Sequence, residues 1–363
     1  MLYLGIDQHS KQLTMNVRDE SGQIVLRKQV GTRGTAVEEF LQDVAHRSGG
    51  EGYAAIVEVC GFNDWLLDLL PARGCRHIVL VQPRQSSRRK TDRRDANQLC
   101  EILWVNRHRL LAGQRVQGLR RVNIPGVQER DDRRLAALRQ RTGRERTRVI
   151  NRIQTVLRRR NLQHDCPTQT IQTLKAKAWL SSLAVCPWDR LELDQSLARW
   201  EQVDRQQRVL DEAIVERVTQ SADARLLRTL PGAGDFTALG LAAHVGDIRR
   251  FPRPRSLANY WGLTPSCHNS GEQTQRLGSI SKEGSTLARF LLGQLVMHVL
   301  KKDAKLRTWF LGIKRRRGAK IARVAVMRRL TTIIWHMLTH REAYQLGGVW
   351  RGKIQTPPVP APA

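Results

Sequence analysis

One segment limits the architecture of this chain more than any other. From Tyr53 to Cys60 the residues are apolar except for Glu58. The run is too short for a core helix and shows no period-two alternation, which suits a strand buried on both faces. Such a strand needs partners on both edges and helices over both sides. The flanking sequence supplies them. Leu2-Tyr3-Leu4-Gly5-Ile6 is a short apolar strand. Leu13 to Val17 and Ile24 to Val30 are two more, joined as a hairpin through Glu20-Ser21-Gly22. Helices follow at Ala36 to His46 and near Asn63 to Leu70, then a strand, His77 to Val81, closed by Pro83. A last helix covers Asp92 to Val105.

The order three strands, helix, strand, helix, strand, helix is that of the ribonuclease H-like fold. Fold order alone does not determine chemistry. Beyond it the pattern becomes helical. Leu135, Leu138, Val149, Ile153 and Leu157 fall mostly on one helix face. Leu193, Leu197, Trp200, Val203, Leu210, Ile214 and Val218 recur at steps of three and four. Pro167 and Pro187 lie in the broken stretch between, which predicts an antiparallel helical hairpin, used either for self-association or as a plain linker. Leu230-Pro231-Gly232-Ala233-Gly234 opens a helix to about Val245 in the manner of a helix-hairpin-helix loop. Gly232 and Gly234 then expose backbone N–H groups where a phosphate can sit, although a simple turn accounts for the same residues. A polar loop after Pro265, a helix from Thr286 to Val299 and a basic helix from Lys320 to Leu338 complete this part. The expected division is residues 1–115 (α/β), 125–220 (helical, coiled-coil-like), 221–350 (mainly helical) and a Pro/Ala-rich tail, 355–363, without order.

The chain of 363 residues is long enough for two or three domains, and with 40% hydrophobic residues it is no disordered polyelectrolyte. Its charge is lopsided: 62 Lys and Arg oppose 33 Asp and Glu, a net +29. Between Arg84 and Arg160 there are 23 basic and 7 acidic residues; between Lys301 and Arg329 there are 12 basic residues against Asp303 alone. Arginine dominates both, and its planar fork matches phosphate. A solvated helix face is the alternative, but Arg158-Arg159-Arg160 and Lys314-Arg315-Arg316-Arg317 are too unbalanced to favour it. Nucleic acid is the expected partner, with salt-dependent binding, and charge alone does not choose between DNA and RNA. No segment has the length of a membrane helix, and Met1 to Asp7 lacks signal-peptide character, so a cytoplasmic, nucleoid-associated protein is expected. The six cysteines form no CxxC pair and read as reduced, mostly buried thiols. His336 and His340 share a helix face but lack a third ligand, so they read as structural. Of nine tryptophans, some suit stacking on unpaired bases, while most, Trp200 among them, suit a core.

Four acids stand out against this charge. Asp7 follows the first strand, Glu58 lies near the end of the central one, and Asp92 and Asp95 open the last helix of the α/β part. In a ribonuclease H-like sheet the ends of the first and fourth strands are neighbours and the last helix packs beside them. Four converging carboxylates repel unless a cation binds, and hard oxygen ligands suit Mg²⁺ or Mn²⁺. Two such ions stabilise the attacking and leaving oxygens of phosphoryl transfer. Singly, each acid has another use: Asp92 and Asp95 as partners of the helix dipole or of Arg89, Arg93 and Arg94, and Asp7 as a turn cap.

Gly5-Ile6-Asp7, Glu58-Val59-Cys60-Gly61 and Lys90-Thr91-Asp92-Arg93-Arg94-Asp95-Ala96 resemble the DEDD motif of one insertion-sequence transposase family, which joins a RuvC-like N-terminal domain to a C-terminal transposase domain. The C-terminal half resembles it too, at Leu230-Pro231-Gly232-Ala233-Gly234, Gly246-Asp247 with Arg250-Phe251, Gly262-Leu263-Thr264-Pro265, Ser270-Gly271 and Ile280-Ser281-Lys282-Glu283-Gly284. Val59-Cys60 departs from the small residues usual after the Glu. The resemblance implies a site-specific DNA recombinase guided by a bridge RNA that pairs with donor and target DNA. It implies that Asp7, Glu58, Asp92 and Asp95 hold Mg²⁺. It also implies that Ser270 attacks the DNA backbone to form a phosphoserine link, in a site composed from two protomers of a dimer or tetramer. Ser270 is selected by motif position alone, since Ser266, Ser279, Ser281 and Ser285 crowd the same region. Arg88, Arg89, Lys90, Arg276, Lys282, Arg315 and Arg316 are candidate nucleic-acid contacts. Two other readings stand beside it. One is a hydrolytic RuvC-like nuclease of the junction-resolvase type, using the same acids with water; the other is a non-catalytic nucleic-acid-binding protein.

Overall fold

A computed structural model describes residues 1–82, 92–270 and 273–346, with the side chains of 92–94 and 266–277 outside the description. Two compact units result, one over Met1–Ile124 and one beginning at Pro125.

The first unit is a mixed six-stranded sheet with helices. In chain order it runs β1 (Leu2–Gln8), β2 (Gln12–Arg18), β3 (Ile24–Gly31), α1 (Ala36–Arg47), β4 (Tyr53–Glu58), α2 (Asp64–Ala72), β5 (Cys75–Val81), α3 (Asp92–Val105), α4 (Arg107–Leu111) and β6 (Arg121–Val122). The strand order is β3-β2-β1-β4-β5-β6. β1 runs antiparallel to β2 and parallel to β4, and β4 runs parallel to β5. Alternation along the strands sends Leu4, Ile6, Tyr53, Ala55 and Val57 into one core with Phe40, Leu41, Leu66 and Leu70. Tyr3, Ala54, Ile56, Val79 and Val81 enter a second core with Leu99 and Leu103 of α3. β4 is therefore buried on both faces, the condition its apolar run implied. The unit extends to Ile124, past the expected limit at 115, because the two-residue β6 pairs with the outer edge of β5. A segment that short carries no readable period.

In the second unit, two long helices, α5 (Val127–Arg159) and α7 (Pro187–Gln220), flank the shorter α6 (Leu174–Ser182). Ion pairs Arg139–Asp211, Arg146–Asp204 and Arg159–Asp189 pair rising numbers on α5 with falling numbers on α7, so the two are antiparallel. Pro187 sits at the first turn of α7, where its missing N–H costs nothing. Trp200 is fully buried with Ile153, Leu157 and Leu180, as expected for a core tryptophan. Then come α8 (Ala222–Leu227), α9 (Asp235–Val245), a 3-10 turn (Ile248–Arg250), α10 (Pro254–Tyr260), β7 (Pro265–Ser270), β8 (Gln273–Ile280), α11 (Thr286–Lys302), α12 (Ala304–Arg317) and α13 (Ala319–His340). Ala136 of α5 and Ile214 and Val218 of α7 are buried in the same core as α9, α11 and α13, so the hairpin base and the C-terminal helices share one interior.

The C-terminal half differs from expectation in two places. The polar loop after Pro265 is the antiparallel pair β7–β8, with Pro265 opposite Ile280 and Ser270 opposite Gln273. Its residues are mostly polar, with Cys267, Leu277 and Ile280 too scattered to form an alternation, so no period announced it. The stretch before Lys320 holds a separate helix, α12. Asp303 caps it by accepting from Leu306 N–H at 2.9 Å, and Gly318, at φ 83°, breaks it from α13.

Candidate active site and nucleic-acid interface

The parallel pairing of β1 with β4 sets Ile6 beside Val57, so the next residues, Asp7 near the end of β1 and Glu58 at the end of β4, lie on adjacent strands. Period-two alternation from Gly5 and from Ile56 places both on the sheet face that α3 covers. α3 lies close on that face because position 5 is glycine: a Cβ there would stand 2.6 Å from Ala96 O and from Cys100 Cβ. Cys100 Sγ donates to Tyr3 O at 3.2 Å. With Cys100 near Tyr3 and Ala96 near Gly5, α3 runs back along β1. Its first turn, Asp92 to Asp95, thus overhangs the Asp7 end. Arg18 ties α3 to β2 by donating to Asn97 Oδ1 at 3.2 Å.

Asp7 is only 13% exposed, and His9 Nε2 lies 3.1 Å from its Oδ2. Burial and then the Asp7 charge push the Cys60 thiol up. The loop after β4 is held by two buried amides the sequence did not point to. Asn63 Nδ2 donates to Gln8 Oε1 at 2.8 Å and to Glu58 O at 3.0 Å, and Cys60 N–H donates to Asn63 Oδ1. Gln8 Nε2 donates to Phe62 O at 3.0 Å. Asn63 stands at the N-cap of α2, but its side chain holds the strand loop, leaving α2 without a side-chain cap.

Asp95, in the first turn of α3, is half-buried, and the Asp92 side chain lies outside the description. Among the described residues no group of three or more His, Cys, Asp or Glu side chains could hold a metal ion. The donors at this corner, Asp7 and Glu58, are hard oxygen ligands of the type a divalent cation takes. His336 and His340 stack with ring centroids 5.6 Å apart, and burial lowers the His336 pKa. Of the described cysteines, Cys75 and Cys100 are buried, with pKa values pushed up by burial to about 12 and about 11. Cys60, Cys166 and Cys186 are half-buried, less enclosed than expected.

The other candidates scatter over the second unit. Ser270 ends β7, opposite Gln273, and Arg276 stands opposite His268; their side chains lie outside the description. Lys282 has a left-handed backbone, φ 56°, and its N–H donates to Gly262 O at 3.1 Å. Gly232, at φ 84°, abuts His298, and Gly234 is the N-cap of α9. Arg315 and Arg316 are exposed in the last turn of α12. Arg88, Arg89 and Lys90, like the tail 355–363, lie outside the described residues. Much of the basic excess on α5 is matched inside the chain. Arg139 forks onto Asp211 at 2.6 and 3.2 Å, Arg146 bonds Asp204 at 2.7 Å, and Arg159 and Arg160 share Asp189.

An α/β unit with acids at adjacent strand ends, joined to a helical unit in a chain of charge +29, is the build of an enzyme that processes nucleic acid. Comparison with known proteins bears on which. Residues 4–161 match a family model for DEDD transposases of the IS110 type, and residues 224–310 match the transposase IS116/IS110/IS902 family. The transposase for insertion sequence element IS1111A of Coxiella burnetii is 28% identical over 354 residues, covering 95% of this chain and 91% of the relative. A Pseudomonas aeruginosa protein named "Probable family 20 transposase" is 38% identical over 145 residues, 37% of this chain and 42% of the relative. The chain belongs to the IS110-type DEDD transposases, enzymes that cleave and rejoin DNA.

Proposed function

We propose that this transposase cuts and rejoins donor and target DNA through a covalent phosphoserine intermediate, with Asp7, Glu58, Asp92 and Asp95 holding Mg²⁺ and Ser270 as nucleophile. The observation that carries the reading is the corner formed by Asp7 and Glu58 on one sheet face, under the first turn of α3. The strand order β3-β2-β1-β4-β5, with β2 alone antiparallel within the β2-β1-β4-β5 run, supports a RuvC-like, ribonuclease H-like first unit. When bound, the metal would neutralise charge on the scissile phosphate and lower the cost of forming an alkoxide.

The chain's own groups do the rest. Ser270 Oγ loses its proton and bonds to phosphorus, and the phosphorus–oxygen bond of the DNA breaks, leaving a sugar hydroxyl. A hydroxyl of the new partner strand later attacks the same phosphorus and releases the serine. One phosphodiester is thus exchanged for another through a phosphoserine, and no ATP is needed. Gln8 and Asn63 fix the strand ends that carry Asp7 and Glu58. The two arginine-rich segments support polyanion partners, which we take to be DNA and a structured guide RNA, bound by a dimer or tetramer.

The test is an adduct assay in cells carrying the native flanking DNA, followed by denaturation in SDS. DNA is expected to stay bound to the wild type and to be lost from Ser270→Ala and from Asp7→Ala, with normal melting curves for both. Cleaved DNA without adduct, unchanged in Ser270→Ala but absent in Asp7→Ala, would make the enzyme hydrolytic.

A further inference from the structure

A groove of about 750 Å³ lies in the second unit, between the start of α10 and the α12–α13 pair. Ala325, Arg328, Arg329 and Thr332 line it at helical steps of three, four and seven, so a single face of α13 forms one wall. Arg253 and Arg255, on either side of Pro254, bring two more guanidinium groups to the opposite wall. Ala258 gives an apolar base, and Trp309 of α12 lines the groove while keeping 44% of its surface exposed. No Asp or Glu is among the described lining residues.

The walls are fixed in place. Trp335 Nε1, one turn beyond Thr332, donates to Phe251 O at 2.7 Å in a buried bond, which ties the Pro252–Arg255 turn to α13. Arg250 stacks over both Phe251 and Tyr260, at 4.4 and 4.5 Å from the ring centroids. A half-exposed indole sharing one groove with four arginines and Ala258 has the components of a single-strand platform: a π-face for a base and cations for its flanking phosphates. A groove of this volume admits a nucleotide. Duplex DNA keeps its bases stacked internally and cannot offer one to the tryptophan.

We infer that this groove binds an unpaired nucleotide of a DNA strand, its base stacked on Trp309 and its flanking phosphates held by Arg253, Arg255, Arg328 and Arg329. Cleaving and rejoining DNA produces strand ends that can fray from their duplex, and the groove supplies a sequence-tolerant hold for such a strand. The inference rests on DNA as the substrate and is independent of the carboxylate corner and of Ser270.

The test uses the full-length protein and fluorescence anisotropy with a single DNA strand, the same strand as duplex, and the RNA strand of the same sequence. Trp309→Ala is expected to weaken single-strand binding about tenfold while leaving duplex binding unchanged; Trp309→Phe should keep most of the affinity. A strand carrying 5-iodouracil should photo-crosslink to the wild type at Trp309, and to neither Trp309→Ala nor the duplex. Trp309→Leu, which keeps bulk without a π-face, should behave as Trp309→Ala and decides the matter if that variant fails to melt normally. Equal losses for strand and duplex, no loss at all, or a crosslink elsewhere would overturn the proposal. Tighter binding of the RNA strand, with the Trp309 dependence confined to it, would overturn the assignment to DNA.

Discussion

Gly5 shows how much one residue controls. It lies in a strand, where glycine is ordinarily unfavourable. Its missing side chain is what lets α3 rest on β1, since a Cβ would meet a backbone carbonyl and a Cβ at 2.6 Å. Backbone yields less than a flexible side chain does. Gly5→Ala is therefore expected to destabilise the first unit by about 3 kcal/mol, and to displace the turn carrying Asp92 and Asp95. Gly61→Ala, with open space around the added methyl, should change stability by less than about 0.5 kcal/mol. Thermal melts of the two variants test the contrast, and DNA cleavage by Gly5→Ala should fall with its stability. The four acids were visible as candidates because each sits at the end or start of an element whose apolar pattern is strong. Gln8 and Asn63 were not. An amide holding a neighbouring loop leaves no periodic trace, and the partners of Asn63, Gln8 and Glu58, are distant or non-periodic in the sequence.

Among the elements, α5 and α7 show where charge serves structure. Asp189, buried near the tip, is held at a pKa of about 2 by Arg160, helped by Cys186 and Arg159. Its folded value is depressed, so its contribution is complete above about pH 4 and is lost as pH falls toward 2. At the other end of the same unit, burial and then Arg133 lower His244 on α9 to about 4. Here the unfolded chain takes up the proton first. Stability should fall between pH 6.5 and 4, by up to about 3 kcal/mol. Denaturant titrations across that range should show the loss in the wild type and a flatter profile in His244→Phe; an identical slope in the variant would remove His244 as its source. Helix periodicity made both long helices readable. The ion-pair ladder that sets their register was not, because it joins residues up to 85 apart, such as Asp132 and Arg217.

For the whole molecule, the excess of +29 remains after these internal pairs are formed. A polyanion that pairs with this charge releases its own condensed cations, which makes binding salt-dependent. DNA affinity is expected to drop by about a thousandfold or more between 50 and 200 mM salt. Replacing Arg315 and Arg316 together by Gln should lower the slope of log K against log salt by up to about 2. Anisotropy over a salt series measures both, and an unchanged slope would exclude these two arginines from the phosphate contacts.

What the sequence by itself determined is what repeats locally or is strongly composed. Strand and helix order in the first 105 residues, the paired long helices and the net charge all follow from apolar period and residue counts. Tertiary structure decided what depends on groups distant in the chain. It set Asp7 beside Glu58 through the β1–β4 register, carried the first unit on to Ile124 through β6, and paired β7 with β8 from mostly polar residues. It also gathered Arg253, Trp309 and Arg328 around one groove. Local patterns record which face of an element avoids water. Which faces then meet is settled only when the elements pack.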